Sequence, residues 1–269
     1  MSLVDKRVWG PTPRYPELLS TDKGGAFKDM IIIAGPCSVE SPAQISKIVP
    51  VLKDSSVTFA RGGVFRAGTY PPQDFGLRRE ILGRWARDVR KAGLKTIIEV
   101  IDIRQIKELE PYADAFQIGA RHCQDYALLT ELAAFNKVVS IKRGMGMTLD
   151  EFLGAAEYLT RGRCTPILIE RGSATHMNHV RWDLSISLIA AVKRVTGLPI
   201  LVDASHGTGR RDLVEPMIMA GIAAGADGFL IEVHPDPEKS ISDADQAVPL
   251  GRLFEIQRRA RIVKMAVEA

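Results

Sequence analysis

Short runs of branched residues alternate with helical patterns eight times between residues 31 and 267, and few folds accept that rhythm. The strand-like runs fall at 31–35, 58–64, 96–101, 115–119, 138–142, 166–170, 199–203 and 228–233. The helical patterns fall at 43–52, 77–92, 104–109, 126–135, 148–160, 184–195, 213–224 and 250–267. Most of the strand runs are short and apolar, as expected for parallel strands covered on both faces. Thr148 followed by Glu151 predicts a capped helix start, and Gly93 after Lys91-Ala92 a helix stop. Eight near-equal units predict an α/β fold of the closed (β/α)8 kind, a TIM barrel. A doubly wound open sheet is the alternative. It fits less well, because the first strand runs into Ala34-Gly35-Pro36-Cys37-Ser38 rather than a Gly-x-Gly-x-x-Gly turn.

At 269 residues and 46% hydrophobic side chains, the chain can bury one large core. The reading is a single barrel over residues 30–269, preceded by an irregular N-terminal extension over residues 1–29. That extension contains Pro11, Pro13 and Pro16, with a short strand expected around Val8-Trp9. It has no signal-peptide core, and no apolar run in the chain reaches the length of a membrane span. Three cysteines are too few for a disulfide framework and fit a reducing compartment, so a cytoplasmic protein is expected. Cys123 and Cys164 read as ordinary thiols. The net charge of +4 is spread without a run of Lys or Arg, which disfavours nucleic acid and suits small anions if the bases converge.

In a barrel, chemistry sits at the carboxyl ends of the strands. Here those ends carry Cys37, then Arg61 and Arg66, Glu99, Gln117 and Arg121, Lys142 and Arg143, Glu170 and Arg171, Asp203 with His206, and Glu232 with His234. Asp243 follows in the last loop. Ionisable groups are rarely buried in strands for packing alone. Arg61, Arg66, Arg121, Lys142 and Arg171 come from neighbouring strands and converge into an anion site, most simply for phosphate and carboxylate. Cys37, His206, Glu232 and Asp243 come from strands 8, 1 and 7, which adjoin once a barrel closes. One thiol, one imidazole and two carboxylates suit Mn²⁺, Fe²⁺, Co²⁺ or Zn²⁺. The pattern alone is equally compatible with a core thiol and a structural histidine beside its acid.

With those residues placed, the chain resembles the small microbial 3-deoxy-D-arabino-heptulosonate 7-phosphate (DAHP) synthases, which are close to 3-deoxy-manno-octulosonate 8-phosphate (KDO8P) synthases. The likeness rests on ordered segments. They include 34–40 (Ala-Gly-Pro-Cys-Ser-Val-Glu), Arg61-Gly62-Gly63, Gln117 to Arg121, Lys142-Arg143-Gly144-Met145, Glu170-Arg171-Gly172, Ser205-His206 with 209–213, Ile231 to Pro235, and Ser242-Asp243. The resemblance implies a (β/α)8 barrel that condenses phosphoenolpyruvate (PEP) with an aldose such as erythrose 4-phosphate. The products are a 3-deoxy-2-ulosonate and inorganic phosphate. It implies Cys37, His206, Glu232 and Asp243 as ligands of a divalent metal. It implies Arg61, Arg66, Thr69, Ala120, Arg121, Lys142, Arg171 and Asp203 as substrate contacts, with Cys37, Arg66, Lys142 and His206 in catalytic roles. A homo-oligomer, dimer or tetramer, and a place in shikimate-pathway aromatic amino acid biosynthesis or in secondary metabolism also follow from the likeness.

The departures cluster on the acceptor side. The family's Lys-Pro-Arg-Thr reads Arg66-Ala67-Gly68-Thr69 here, and Tyr70 stands where a serine is usual. Arg66 keeps the charge of the family's lysine but is a poor proton donor. The family's phosphate-holding arginine is Gly68, and a second base is missing at Ala174. Two other functions stay open on sequence: a metal-independent Schiff-base aldolase using Lys142, and a non-catalytic barrel that binds an anion or regulates a partner.

Overall fold

The computed structural model describes residues 30–55, 57–64 and 79–268. Eight strands close a barrel: β1 (Ile31–Gly35), β2 (Phe59–Arg61), β3 (Lys95–Val100), β4 (Ala115–Ile118), β5 (Val138–Lys142), β6 (Thr165–Glu170), β7 (Ile200–Asp203) and β8 (Gly228–His234). Each pairs in parallel with the next, and β8 returns to β1 with Ile31 opposite Gly228 and Gly35 opposite Glu232. The open-sheet alternative is thereby excluded.

Helices cross between the strands: α1 (Pro42–Asp54), α2 (Arg79–Lys91), α3 (Ile106–Leu109), α4 (Tyr126–Ala133), α5 (Leu149–Thr160) and α6 (Ile186–Val195). Beyond them come α7 (Ala204–Thr208), α8 (Arg211–Ala223) and α9 (Leu253–Glu268). Helix α1 starts where Ser41 accepts from the Gln44 N–H and proline takes the first turn. Its Ile45, Ile48, Val49 and Leu52 face the sheet at helical spacing. Thr148 and Glu151 form the expected reciprocal cap on α5. Among the described residues, no helix is long and apolar enough to cross a membrane.

The apolar residues divide into two layers. Ile31, Ile33, Phe59, Ile97, Ala115, Val138, Ile167, Ile169, Leu201 and Leu230 fill the inside of the barrel. A larger layer between sheet and helices contains Ile32, Ala34, Val202 and Ile231 with Trp85 and Phe152. Burying each large side chain contributes roughly 1.5–3 kcal/mol. The two-residue period of a strand then dictates what lies above the inner plug. Arg61 follows Phe59, Glu99 follows Ile97, Gln117 follows Ala115, and Lys142 stands two beyond Ser140. Arg171 follows Ile169, Asp203 follows Leu201, and Glu232 follows Leu230. The inward side chains thus switch from apolar to polar or ionisable at the carboxyl mouth.

Three features differ from the sequence reading. The second strand is three residues long, not seven, because the chain leaves β3 after Arg61; Gly63 bridges to Ser38 of the β1 loop instead. A short strand β9 (Val248–Pro249) pairs with β8. An extra helix, α7, follows β7 where a loop was expected. Asp203 starts it by accepting from the His206 N–H at 3.1 Å, and left-handed Gly209 ends it. The N-terminal extension, with its expected strand, lies outside the described residues, as do Arg66, Gly68, Thr69 and Tyr70.

Candidate active site

Cys37, His206, Glu232 and Asp243 meet at the mouth, one ligand atom of each lying within 4.8 Å of the others. Cys37 enters over Gly35, whose φ of 147° and position leave no room for a side chain: a Cβ there would stand 2.1 Å from the Arg61 carbonyl oxygen. The Cys37 Sγ lies 3.2 Å from Asp243 Oδ2, and His206 Nε2 lies 3.7 Å from Glu232 Oε2. Each non-sulfur member is held by a neighbour. Asp203 lies 3.0 Å from His206 Nδ1, which leaves Nε2 for the cluster. Gln246 donates to Glu232 at 2.8 Å, and Arg181 donates to Asp243 Oδ1 at 3.2 Å.

The electrostatics suit a cation. Burial lifts the Glu232 carboxyl to about 8, with nearby Asp243 adding to the rise against the opposing pull of Arg61. Burial also drops His206 to about 3, against the pull of Asp203, so the imidazole is neutral as a metal ligand must be. A sulfur, a nitrogen and two carboxylates that are costly to bury without a counter-charge fit a borderline divalent ion.

The bases line the adjoining half of the mouth. Arg61 is buried, with Nη1 at 4.0 Å from Glu232 Oε2. Burial opposes its charge, but Cys37, Glu232, Asp203 and Glu99 together raise its pKa. Lys142 Nζ lies 2.8 Å from Asp203 Oδ2 and 3.4 Å from His206 Nδ1. Burial alone would raise the Asp203 carboxyl; His206 and Lys142 instead hold it well below its ordinary value. Arg171 donates through Nη2 to the His206 carbonyl at 3.2 Å, with its guanidinium 5.3 Å over the Trp182 ring. Burial lowers its pKa to about 10. Arg121 is exposed, yet near enough to Arg171 to add to that lowering. Ala120 stands in the same loop, its carbonyl accepting from the Cys123 thiol. Arg61 Nη1 and Arg171 Nη1 are buried with no hydrogen-bond partner among the described residues. Buried guanidinium donors left open call for an anion.

The chain matches the DAHP synthetase I family over residues 19–268. It belongs to that family. It is 40% identical over 218 residues to phospho-2-dehydro-3-deoxyheptonate aldolase of Thermotoga maritima, covering 81% of this chain and 64% of that protein. It is also 31% identical over 256 residues to 2-dehydro-3-deoxyphosphooctonate aldolase of Nitrobacter winogradskyi, covering 87% and 88%. The crystal structure of the Thermotoga DAHP synthase superposes with a TM-score of 0.84 at 38% identity, covering 88% of this chain and 70% of that one. A truncated form of 3-deoxy-D-arabino-heptulosonate 7-phosphate synthase from the same organism superposes at 0.80 with 36% identity, covering 88% and 87%.

Three strand-end groups that the sequence brought to the mouth do not join its cluster. Arg143 and Glu170 point outward and pair with each other at 2.5 and 2.9 Å. Glu170 also accepts from the Gly172 and Ser185 N–H groups, fixing the loop that follows Arg171. His234 turns to Glu40 rather than joining the tetrad. Gln246 and Trp182 carry no motif that marks them as site residues, and Arg181 reads from sequence only as a base that could replace the missing phosphate grip. Gln246 lies three residues beyond Asp243, the only local signal that could have marked it.

Proposed function

We propose that the chain condenses PEP with an aldose, releasing inorganic phosphate and a 3-deoxy-2-ulosonate, with a divalent metal held by Cys37, His206, Glu232 and Asp243. One observation carries the reading: a half-buried Cys-His-Glu-Asp cluster stands directly beside buried arginines whose Nη1 groups have no hydrogen-bond partner among the described residues. Arg61, Lys142 and Arg171, with Arg121 at the rim and the Ala120 backbone beside it, bind the phosphate and carboxylate of PEP. Asp203 holds Lys142 and His206 in register. Arg66 and Thr69 complete the substrate contacts on the strength of the sequence likeness alone. The metal would supply Lewis-acid polarisation of the aldehyde carbonyl. C3 of PEP forms the new bond to the aldehyde carbon, water adds at C2, and the C2–O bond to phosphate breaks. The converging bases offset the charge that gathers on the PEP oxygens.

Lys142 is less suited to Schiff-base chemistry. Its Nζ is tied at 2.8 Å to the buried Asp203 carboxylate rather than standing open to a carbonyl carbon. The test is phosphate release from PEP with erythrose 4-phosphate and a panel of other aldoses, with Mn²⁺ or with EDTA. Metal-dependent release is expected, and full activity in EDTA would move the reading to the lysine mechanism. Light scattering after size exclusion tests the dimer or tetramer.

A further inference from the structure

Two of the four candidate ligands sit on loops, and something must bring those loops together. Cys37 follows β1, Asp243 follows β8, and 206 residues separate them in the chain. Asp243 is the one non-glycine residue with positive φ among the described residues, at 53°. Aspartate tolerates that conformation, but it must be held there against more relaxed alternatives.

Behind the pair runs a polar seam that no metal ligand belongs to. The Glu40 side chain, 14% exposed, reaches across to the β8 loop. Its Oε1 accepts from the Ile241 N–H at 3.0 Å, and its Oε2 lies 3.3 Å from His234 Nε2. One step nearer the cluster, Ser242 Oγ donates to Ser38 Oγ at 3.1 Å. Ser38 and Ser242 are the immediate chain neighbours of Cys37 and Asp243. The β1 side is anchored in turn by Gln44 of α1, which accepts from the Glu40 N–H at 2.9 Å and donates to the Ser38 carbonyl at 3.2 Å. The seam therefore fastens residues 38–40 to residues 240–242, and the two ligands ride on its edge.

We infer that Glu40 is a positioning residue for the metal: by fastening the Asp243 loop over Cys37, it sets the affinity of the tetrad for a divalent ion. Among the described residues the Glu40 side chain bonds to His234, Ser240 and the Ile241 N–H, not to a candidate ligand or an anion-binding base, so its effect runs through the loop. Partners of this kind typically change metal affinity 10- to 100-fold when removed. The inference rests on the proposed metal site.

The probe is Co²⁺, titrated into metal-free, full-length protein and followed by the thiolate-to-cobalt charge-transfer band that reports Cys37 in the coordination shell. Glu40→Ala is expected to weaken Co²⁺ binding at least tenfold and to reduce the band at saturation. Glu40→Gln keeps an oxygen acceptor for the Ile241 N–H and is expected to bind within threefold of the parent protein. Should Glu40→Ala fail to fold, Ser242→Ala, which removes a single hydroxyl from the seam, is expected to weaken Co²⁺ several-fold. Parent-like Co²⁺ affinity in a folded Glu40→Ala protein, or in Ser242→Ala where Glu40→Ala does not fold, would overturn the inference, as would equal weakening in Glu40→Gln and Glu40→Ala. If the parent protein itself shows no Co²⁺ band, the metal reading falls and the inference falls with it.

Discussion

Lys142 and Asp203 form an ion pair of 2.8 Å inside the barrel, with both side chains 5% exposed or less. The same carboxylate orients His206 from its other side. One buried group therefore couples the anion half of the site to the metal half.

Asp203→Asn is expected to uncouple them. The amide keeps an oxygen for the His206 backbone N–H but loses the charge that holds Lys142 and fixes the imidazole. Metal affinity should fall 10- to 100-fold, and PEP binding should weaken as well. Because the Asp203 carboxyl lies well below its ordinary value, its contribution is present at neutral pH and is lost only as pH falls through the folded-state value. The ratio of parent to variant metal affinity should thus stay flat from pH 6 to 8 in parallel titrations. An unchanged metal dissociation constant in the variant would remove the coupling role.

Arg171 offers a second measurement. Its Nη1 is buried without a hydrogen-bond partner among the described residues, while Nη2 and the ring of Trp182 hold the guanidinium in place. A charge-assisted hydrogen bond contributes roughly 1.5–3 kcal/mol, so Arg171→Ala should raise the PEP dissociation constant at least tenfold. Calorimetric titration with PEP reads this directly, and metal content should be unaltered. A titration that matches the parent protein would demote this arginine to a packing role.

The three thiols should separate in reactivity. Cys37 is half-buried at the mouth, whereas Cys123 and Cys164 are buried. Burial pushes Cys123 up to about 11 and Cys164 up to about 12. Raised thiol values mean that both stay protonated, and add stability, at and below the unfolded value near 8.5; that contribution drains away as pH climbs through 11 and 12. A chromogenic disulfide reagent at pH 8 should therefore find one fast thiol in metal-free protein and none after saturation with Zn²⁺. Raising the pH to 9 should not recruit the other two. Protection of Cys37→Ser protein by Zn²⁺, with a fast thiol still present, would show that the wrong cysteine had been assigned.

The barrel was readable because Ile31 to Ile33, Val138-Val139 and Ile167 to Ile169 carry their strand signal locally, and eight such runs leave few closures. Much of the site was readable for a related reason: most strands end inward on a charged residue, which packing alone rarely places there. What failed was sidedness. Lys142 and Arg143 are adjacent, so one faces inward and the other outward. The choice depends on the register with β6, where Lys142 stands opposite Ile169, and no local pattern encodes it. Helix α7 was missed because five residues show no periodicity, and its start depends on a side-chain cap from Asp203. Glu40 stood in a recognised segment, but its partner Ile241 lies 201 residues away.

By the sequence resemblance, the acceptor side is where this chain departs from its family. The sequence has Gly68, Tyr70 and Ala174; by the resemblance alone, these stand where the family would carry a phosphate-holding arginine, a serine and a second base. Three other arginines could have substituted. Arg210 is engaged by Asp212 and the His179 carbonyl. Arg211 is engaged by Glu238 and the Ala244 and Ala247 carbonyls. Both sets of contacts hold their guanidinium groups on the loops. Arg181, at 36% side-chain exposure, reaches the site, but it does so bound to Asp243. Loss of a bidentate charged contact costs a phosphorylated acceptor roughly 2–4 kcal/mol, or about 30- to 1000-fold. Erythrose 4-phosphate is therefore expected to be a poor substrate, with kcat/KM below about 10⁴ M⁻¹s⁻¹, an ordinary enzyme efficiency. An aldehyde with its phosphate elsewhere, or with none, should be used better. Gly68→Arg should improve erythrose 4-phosphate selectively, leaving the KM for PEP unchanged. Steady-state kinetics across an aldose panel, parent against variant, decides the matter. Efficient use of erythrose 4-phosphate by the parent would mean that the phosphate grip has been rebuilt, and Arg181→Met would then be the variant expected to break it.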